Sequence, residues 1–85
     1  MASQGVIHKH VLEITDQQTI KTFSGAHPLA FQVQDGKPCL WLLVDPEQRE
    51  TNIDFFIYGT GHEVYETLVH LGTIQLDGFV WHLFY

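Results

Sequence analysis

The stretch Ile53-Asp54-Phe55-Phe56-Ile57-Tyr58-Gly59-Thr60-Gly61-His62 is a run of β-forming residues that stops abruptly at two glycines and a histidine. The run reads as a buried strand, because branched and aromatic side chains suit a pleated, half-covered surface. Beyond it, Val64, Leu68 and Leu71, with Tyr65 and Val69, recur at helical spacing. That spacing predicts a helix of about two turns, closed by Gly72. Strand, glycine bend and helix together make the bend the first candidate for a working site. Glycine tolerates positive φ and close backbone approach, and successive N–H groups at a strand-to-helix turn can face an anion.

Working outward, Val6–Ile14 alternates, with Val6, His8, His10, Leu12 and Ile14 on one face, and reads as a first strand near an edge. Thr19–Phe23 is a short segment, and Ser24-Gly25-Ala26-His27-Pro28 is a turn. Leu29–Gln34, the Asp35-Gly36 pair and Cys39–Val44 form a hairpin whose second strand is apolar on both faces and therefore central. Asp45-Pro46 opens a polar loop to Asn52. Thr73–Leu76, Asp77-Gly78 and Phe79–Tyr85 form a second hairpin. Its aromatic last strand, with no polar tail, is expected to be tied into a sheet or an interface. The class that follows is α+β, β-dominated: a single domain over residues 1–85, a small twisted antiparallel sheet folded as a barrel or sandwich, with one short helix.

Composition narrows the function. A chain of 85 residues buries only about 60% of its unfolded surface, yet 45% of it is apolar and 13% aromatic. Some of that surface is expected in a homo-oligomer interface. Ten acidic against four basic residues give a net charge of −6, which repels a polyphosphate and argues against duplex nucleic acid. The lone Cys39 excludes an intrachain disulfide and reads as a small core residue in a reducing compartment. Met1–Gly5 carries no basic-then-apolar leader, and no stretch approaches the ~20 apolar residues of a membrane span, so a soluble cytoplasmic protein is expected.

His8 and His10, two apart on one strand face, have the spacing of two ligands to one metal, with His27, His62, His70 and His82 as further donors. No carboxylate or cysteine cluster joins them, and hydrogen-bonded structural histidines are the preferred reading; neither a metal nor a cofactor is assigned. No nucleophile elbow or phosphate loop is present. His62 and Glu63 lack a nucleophile, and Asp16, Asp45 and Asp54 pair only if folding brings them together, so no enzyme is expected. The candidate ligand-binding residues are Gly59, Thr60, Gly61 and His62, with Trp41, Tyr58 and Trp81 as aromatic faces for a base and Arg49 as an anion clamp across a subunit boundary. Each has a plain reading beside it. Thr60 or His62 caps the helix while Glu63 complements its dipole, the tryptophans are core, and Arg49 is a solvated surface group.

Nearly the whole chain resembles a family of short, mostly uncharacterised bacteriophage proteins, through His8-Lys9-His10, Gln32-Val33-Gln34, Leu40-Trp41-Leu42-Leu43-Val44-Asp45-Pro46, Gly59-Thr60-Gly61-His62, Leu71-Gly72-Thr73 and Phe79-Val80-Trp81-His82. The resemblance implies a viral protein in the host bacterial cytoplasm, and analogy with other small phage proteins adds the expectation that it counters antiviral defence. The role it suggests is a sponge that sequesters a cyclic-nucleotide or ADP-ribose-like immune signal without cleaving it. A protein–protein inhibitor of a host nuclease or CRISPR effector is the alternative, and a minor virion structural protein is third. A sponge would gather Lys9, Lys37 or Arg49 from several subunits to offset the acidic charge, whereas an inhibitor would use that charge for steering.

Overall fold

The computed structural model describes residues 5–85, so most of the N-terminal stretch read above as leaderless lies outside the described residues. Seven strands follow one another: β1 (Val6–Val11), β2 (Gln18–Phe23), β3 (His27–Gln34), β4 (Lys37–Val44), β5 (Glu50–Gly59), β6 (His70–Leu76) and β7 (Phe79–Phe84). They form two antiparallel sheets, β1-β4-β3 and β2-β5-β7-β6. As expected, β1 is an edge strand and β4 is central. Phe31, Leu40, Leu42 and Val44 of the three-stranded sheet meet Phe55, Ile57, Ile74 and Leu83 of the four-stranded sheet in one core, closed at one end by Leu12.

The fold is therefore an all-β sandwich, which corrects the α+β expectation: the described residues contain no helix, and neither sheet closes into a barrel. Residues 62–69 are irregular, with one tight turn in which the Leu68 N–H donates to the Tyr65 carbonyl at 3.1 Å. The reason lies in packing. So short a helix is held only by an apolar face pressed on something, whereas here Tyr65 and Val69 remain 75% and 55% exposed. The connection must also carry the chain from one side of β7 to the other, two strand spacings or about 9.6 Å, while descending from the level of Gly59 to that of Phe84. Extended chain does this over a short sequence better than a helix rising ~1.5 Å per residue.

Gly72 does not stop a helix; it sits in β6 against β3. A Cβ there would lie 3.1 Å from Cβ of Phe31, and both strands carry an irregularity at this approach, between Pro28 and Ala30 and between His70 and Gly72. The two sheets thus abut along β3 and β6 without pairing, and the bulges blunt both edges. The Asp-Gly turns are as expected, with φ of 53° and 73° at Asp35 and Gly36 and of 53° and 81° at Asp77 and Gly78, the two positive values that a type I′ hairpin needs. The C-terminus is tied in: Tyr85 and Val69 exchange backbone hydrogen bonds at 3.0 and 2.8 Å.

Cys39 is fully buried yet stands apart from the core cluster. It lies on the outer side of β4, between Val11 and Gln32, where flanking strands cover it.

Candidate functional site

Along β5 the side chains alternate, so Phe55, Ile57 and the Gly59 position face the other sheet, while Asp54, Phe56 and Tyr58 face outward. On β7 the register places Trp81 beside Gly59 on the inner side, and His82 beside Tyr58 on the outer side. Gly59 leaves the ring of Trp81 undisturbed: a Cβ would lie 3.3 Å from it and 3.6 Å from the ring of His62. Gly61 is needed for its backbone, at φ 96°.

The bend is held from within. The Gly59 N–H donates to Nδ1 of His62 at 3.2 Å, and the His62 N–H donates to the Gly59 carbonyl at 3.2 Å. Two amides expected to face an anion are therefore engaged inside the turn. Because Nδ1 accepts, the neutral His62 ring carries its proton on Nε2, where it is a donor.

Beside the bend lies a groove of about 490 Å³, bounded by Gly59, Thr60 and His62 on one side and by Gly78, Phe79, Val80 and Trp81 on the other. The Phe79 and Trp81 rings, 5.8 Å apart between centroids, form its aromatic wall. Phe79 is 63% exposed. No lysine, arginine or carboxylate lines this groove. A second groove of about 370 Å³ runs under Tyr58, Val64 and Tyr65, but Asp16 and Glu63 line it, which makes it unsuited to an anion.

The four remaining candidates divide between these places and others. Trp81 joins the bend in the first groove, and Tyr58 faces the second, on the opposite side of its sheet. Trp41 is on the other sheet, paired with Lys9 and Ala30. Arg49 precedes the first residue of β5 while the bend follows its last, about 33 Å along an extended strand, so one chain cannot bring the two to one ligand.

On the outer side of the sheet a chain of hydrogen bonds starts at the bend. Oγ1 of Thr60 is 3.0 Å from Nε2 of His82, Nδ1 of His82 is 2.9 Å from Oγ1 of Thr73, and Oγ1 of Thr73 is 3.0 Å from Nε2 of His70. His82 is half-buried, and the ring of Phe84 packs 5.2 Å from that of His70. Thr73 escaped the sequence reading of the site, although the Asp77-Gly78 turn fixes the register that sets it opposite His82.

The paired histidines His8 and His10 lie with ring centroids 6.5 Å apart, and no cluster of three candidate metal ligands occurs among the described residues. Nε2 of His10 is buried without a partner among the described residues. Burial, and then the neighbouring charge of His8, hold the His10 pKa below the ordinary value of 6.5. In the unfolded chain His10 takes up a proton near 6.5, whereas the folded protein does so only at lower pH. Its contribution to stability is thus present above that value and is lost as pH falls from it toward the depressed folded one. The thermal midpoint is expected to drop as pH is lowered from 7 past 6.5, and His10→Phe to flatten that drop; parallel slopes for the two proteins in a pH series of melts would remove His10 as the cause.

Comparison with curated proteins and with solved structures gives no match. Residues 3–85 match a family described as a domain of unknown function, DUF7352; with that span taking in nearly the whole chain, the protein belongs to this family.

Proposed function

We propose that the protein is a non-catalytic binding protein that takes a planar, nucleotide-like ligand into the groove between the Gly59–His62 bend and the Asp77-Gly78 turn. The observation that carries this reading is the groove itself. It has the size of a small-molecule site, a Trp81–Phe79 wall on which a base can stack, and a donor at its rim in His62 Nε2–H, while the Thr60 hydroxyl is engaged by His82. With no cation in the lining and two amides engaged, recognition rests on the base. A phosphate would be left to solvent or to a cation such as Arg49 from a second copy. In the viral setting that the resemblance implies, such binding would sequester a nucleotide immune signal and leave it intact.

The test is a panel of nucleosides, cyclic nucleotides and ADP-ribose, read by thermal shift and tryptophan fluorescence, followed by heat denaturation and recovery of the ligand. A ligand at one hundred times its Kd is expected to add about 2.7 kcal/mol to stability and to be recovered unchanged. Absence of any shift at millimolar concentration sinks the reading, and a cleaved product replaces sequestration by catalysis.

A second reading, a protein partner, has its own observation. Ile7, Val11 and Leu43 are 61%, 54% and 39% exposed on the outer side of the β1-β4-β3 sheet, and none of the ten carboxylates lies in those strands. An apolar, carboxylate-free face on so acidic a chain is where a partner protein or another copy can approach with least repulsion.

A further inference from the structure

Each sheet has two edge strands, and an unpaired edge invites another chain unless something blunts it. The edges of β3 and β6 abut and carry bulges. On β2 the exposed side chains are polar and engaged: the Thr19 hydroxyl is 2.6 Å from the Asp54 carboxylate, and Nζ of Lys21 is 3.0 Å from that of Glu50. β1 differs from all three. It pairs with β4 alone. Bonds to an antiparallel neighbour come from alternate residues, and the Leu12 N–H, donating to the Pro38 carbonyl at 2.9 Å, sets the phase. Val6, His8 and His10 therefore bond to β4, while Ile7, Lys9 and Val11 turn their N–H and C=O groups to the open side. No backbone group meets them there among the described residues. The same three residues send their side chains to the outer face of the sheet, where Ile7 and Val11 are 61% and 54% exposed and flank an exposed Lys9.

Lys9 decides what can be added. Two copies joined antiparallel through β1 with this residue at the centre would set Lys9 opposite Lys9, and like charges directly opposite destabilise a sheet. A carboxylate opposite Lys9 does the reverse. No carboxylate of the described residues pairs with Lys9, and none lies in β1, β4 or β3. We infer that β1 is a docking edge for an extended segment of a partner protein. The segment adds as an antiparallel strand, with a carboxylate opposite Lys9 and apolar side chains two residues to either side, opposite Ile7 and Val11. Main-chain bonds supply the attachment, and this alternation supplies the choice of partner. The net charge of −6 restricts the match to a single carboxylate, since a run of them would meet repulsion on either side of Lys9. The inference rests on the protein-partner reading given above and narrows it from a sheet face to a strand edge; it does not depend on the nucleotide groove.

The test uses the whole ¹⁵N-labelled protein and, as the probe, the end-blocked peptide Thr-Val-Thr-Glu-Thr-Val-Thr. Without peptide, the amides of Ile7, Lys9 and Val11 are expected to exchange with solvent faster than those of His8 and His10, which β4 protects. Slow exchange at all five overturns the open edge, and slowing that grows with protein concentration gives the edge to a second copy and overturns the proposal equally. With peptide, the three edge amides are expected to shift and to slow. N-methylation of the peptide's glutamate nitrogen, which faces the Lys9 carbonyl, should weaken binding about fivefold, the worth of one hydrogen bond; N-methylation of the preceding threonine nitrogen, which faces away, should not. Lys9→Glu should weaken binding about three- to tenfold, and a lysine-centred peptide should restore it. Equal affinity of the two peptides for the native protein overturns the carboxylate assignment. Binding that shifts Trp41 and Leu43 but none of the three edge amides overturns strand addition and leaves the sheet face as the docking surface, so the two readings fail separately. No binding by either peptide at millimolar concentration overturns the inference outright.

Discussion

Replacing Phe55 with alanine is expected to lower the free energy of unfolding by about 3–5 kcal/mol. The ring is fully buried where the two sheets meet and lies 6.1 Å from that of Tyr85. The deletion opens a cavity that surrounding strands, fixed by their ladders, cannot collapse to fill. A domain of this length has roughly 4–13 kcal/mol of total stability, so the variant should sit close to unfolding at room temperature in a urea titration. Phe56→Ala, one residue on, is the matched control. That ring is only half-buried and stacks on Tyr58 at 6.4 Å, and its loss should cost clearly less than that of Phe55. Equal losses would mean that the alternation along β5 is misassigned, and the placement of Gly59 beside Trp81 would fall with it.

The same alternation explains how much of this molecule was legible beforehand. A period of two shows in Val6–Val11, where His8, His10 and the following Leu12 turn inward while Lys9 and Val11 do not, and Asp-Gly pairs admit few conformations other than a tight hairpin turn. Both signals are local, and both held. The apolar residues between Val64 and Leu71 also have a period, but their spacing carried no information about whether a partner surface existed to press them into a helix. None did, and an extended crossing resulted. Gly59 was legible as part of a glycine bend, whereas Gly72 read as a helix stop and proved to lie in a strand; close approach to Trp81 or Phe31 depends on residues distant in the chain. For the candidate site, the bend and Trp81 came together because the β7 register follows from the last hairpin and its pairing with β5. Trp41 and Arg49 separated from them because nothing local says which sheet, or which end of a strand, a residue will occupy. The engaged amides of Gly59 and His62 were beyond sequence altogether; they required knowing that the His62 ring folds back onto the strand that precedes it.

Gly59→Val is expected to weaken base binding tenfold or more with little effect on folding. The φ of Gly59 is not in the left-handed region, and valine suits a strand, so the backbone has no objection to the change. The new side chain instead starts with its Cβ 3.3 Å from the Trp81 ring and 3.6 Å from that of His62, and its added methyl groups are expected to push these rings aside. Overpacking of this kind costs about 1–3 kcal/mol in a closed core, and less at an open groove, where the displaced rings find water. Trp81→Ala removes the stacking wall outright, and base stacking of about 1–3 kcal/mol would be lost with it. Since Trp81 also packs against the core, that variant lowers stability too and cannot stand alone as a test. The pair separates the two roles. Reduced affinity in both variants, with melting unchanged only in Gly59→Val, assigns the groove. A Gly59→Val protein that binds its ligand as the native one does, at an unchanged melting temperature, moves the ligand away from Trp81 and leaves the bend as a chain reversal and nothing more.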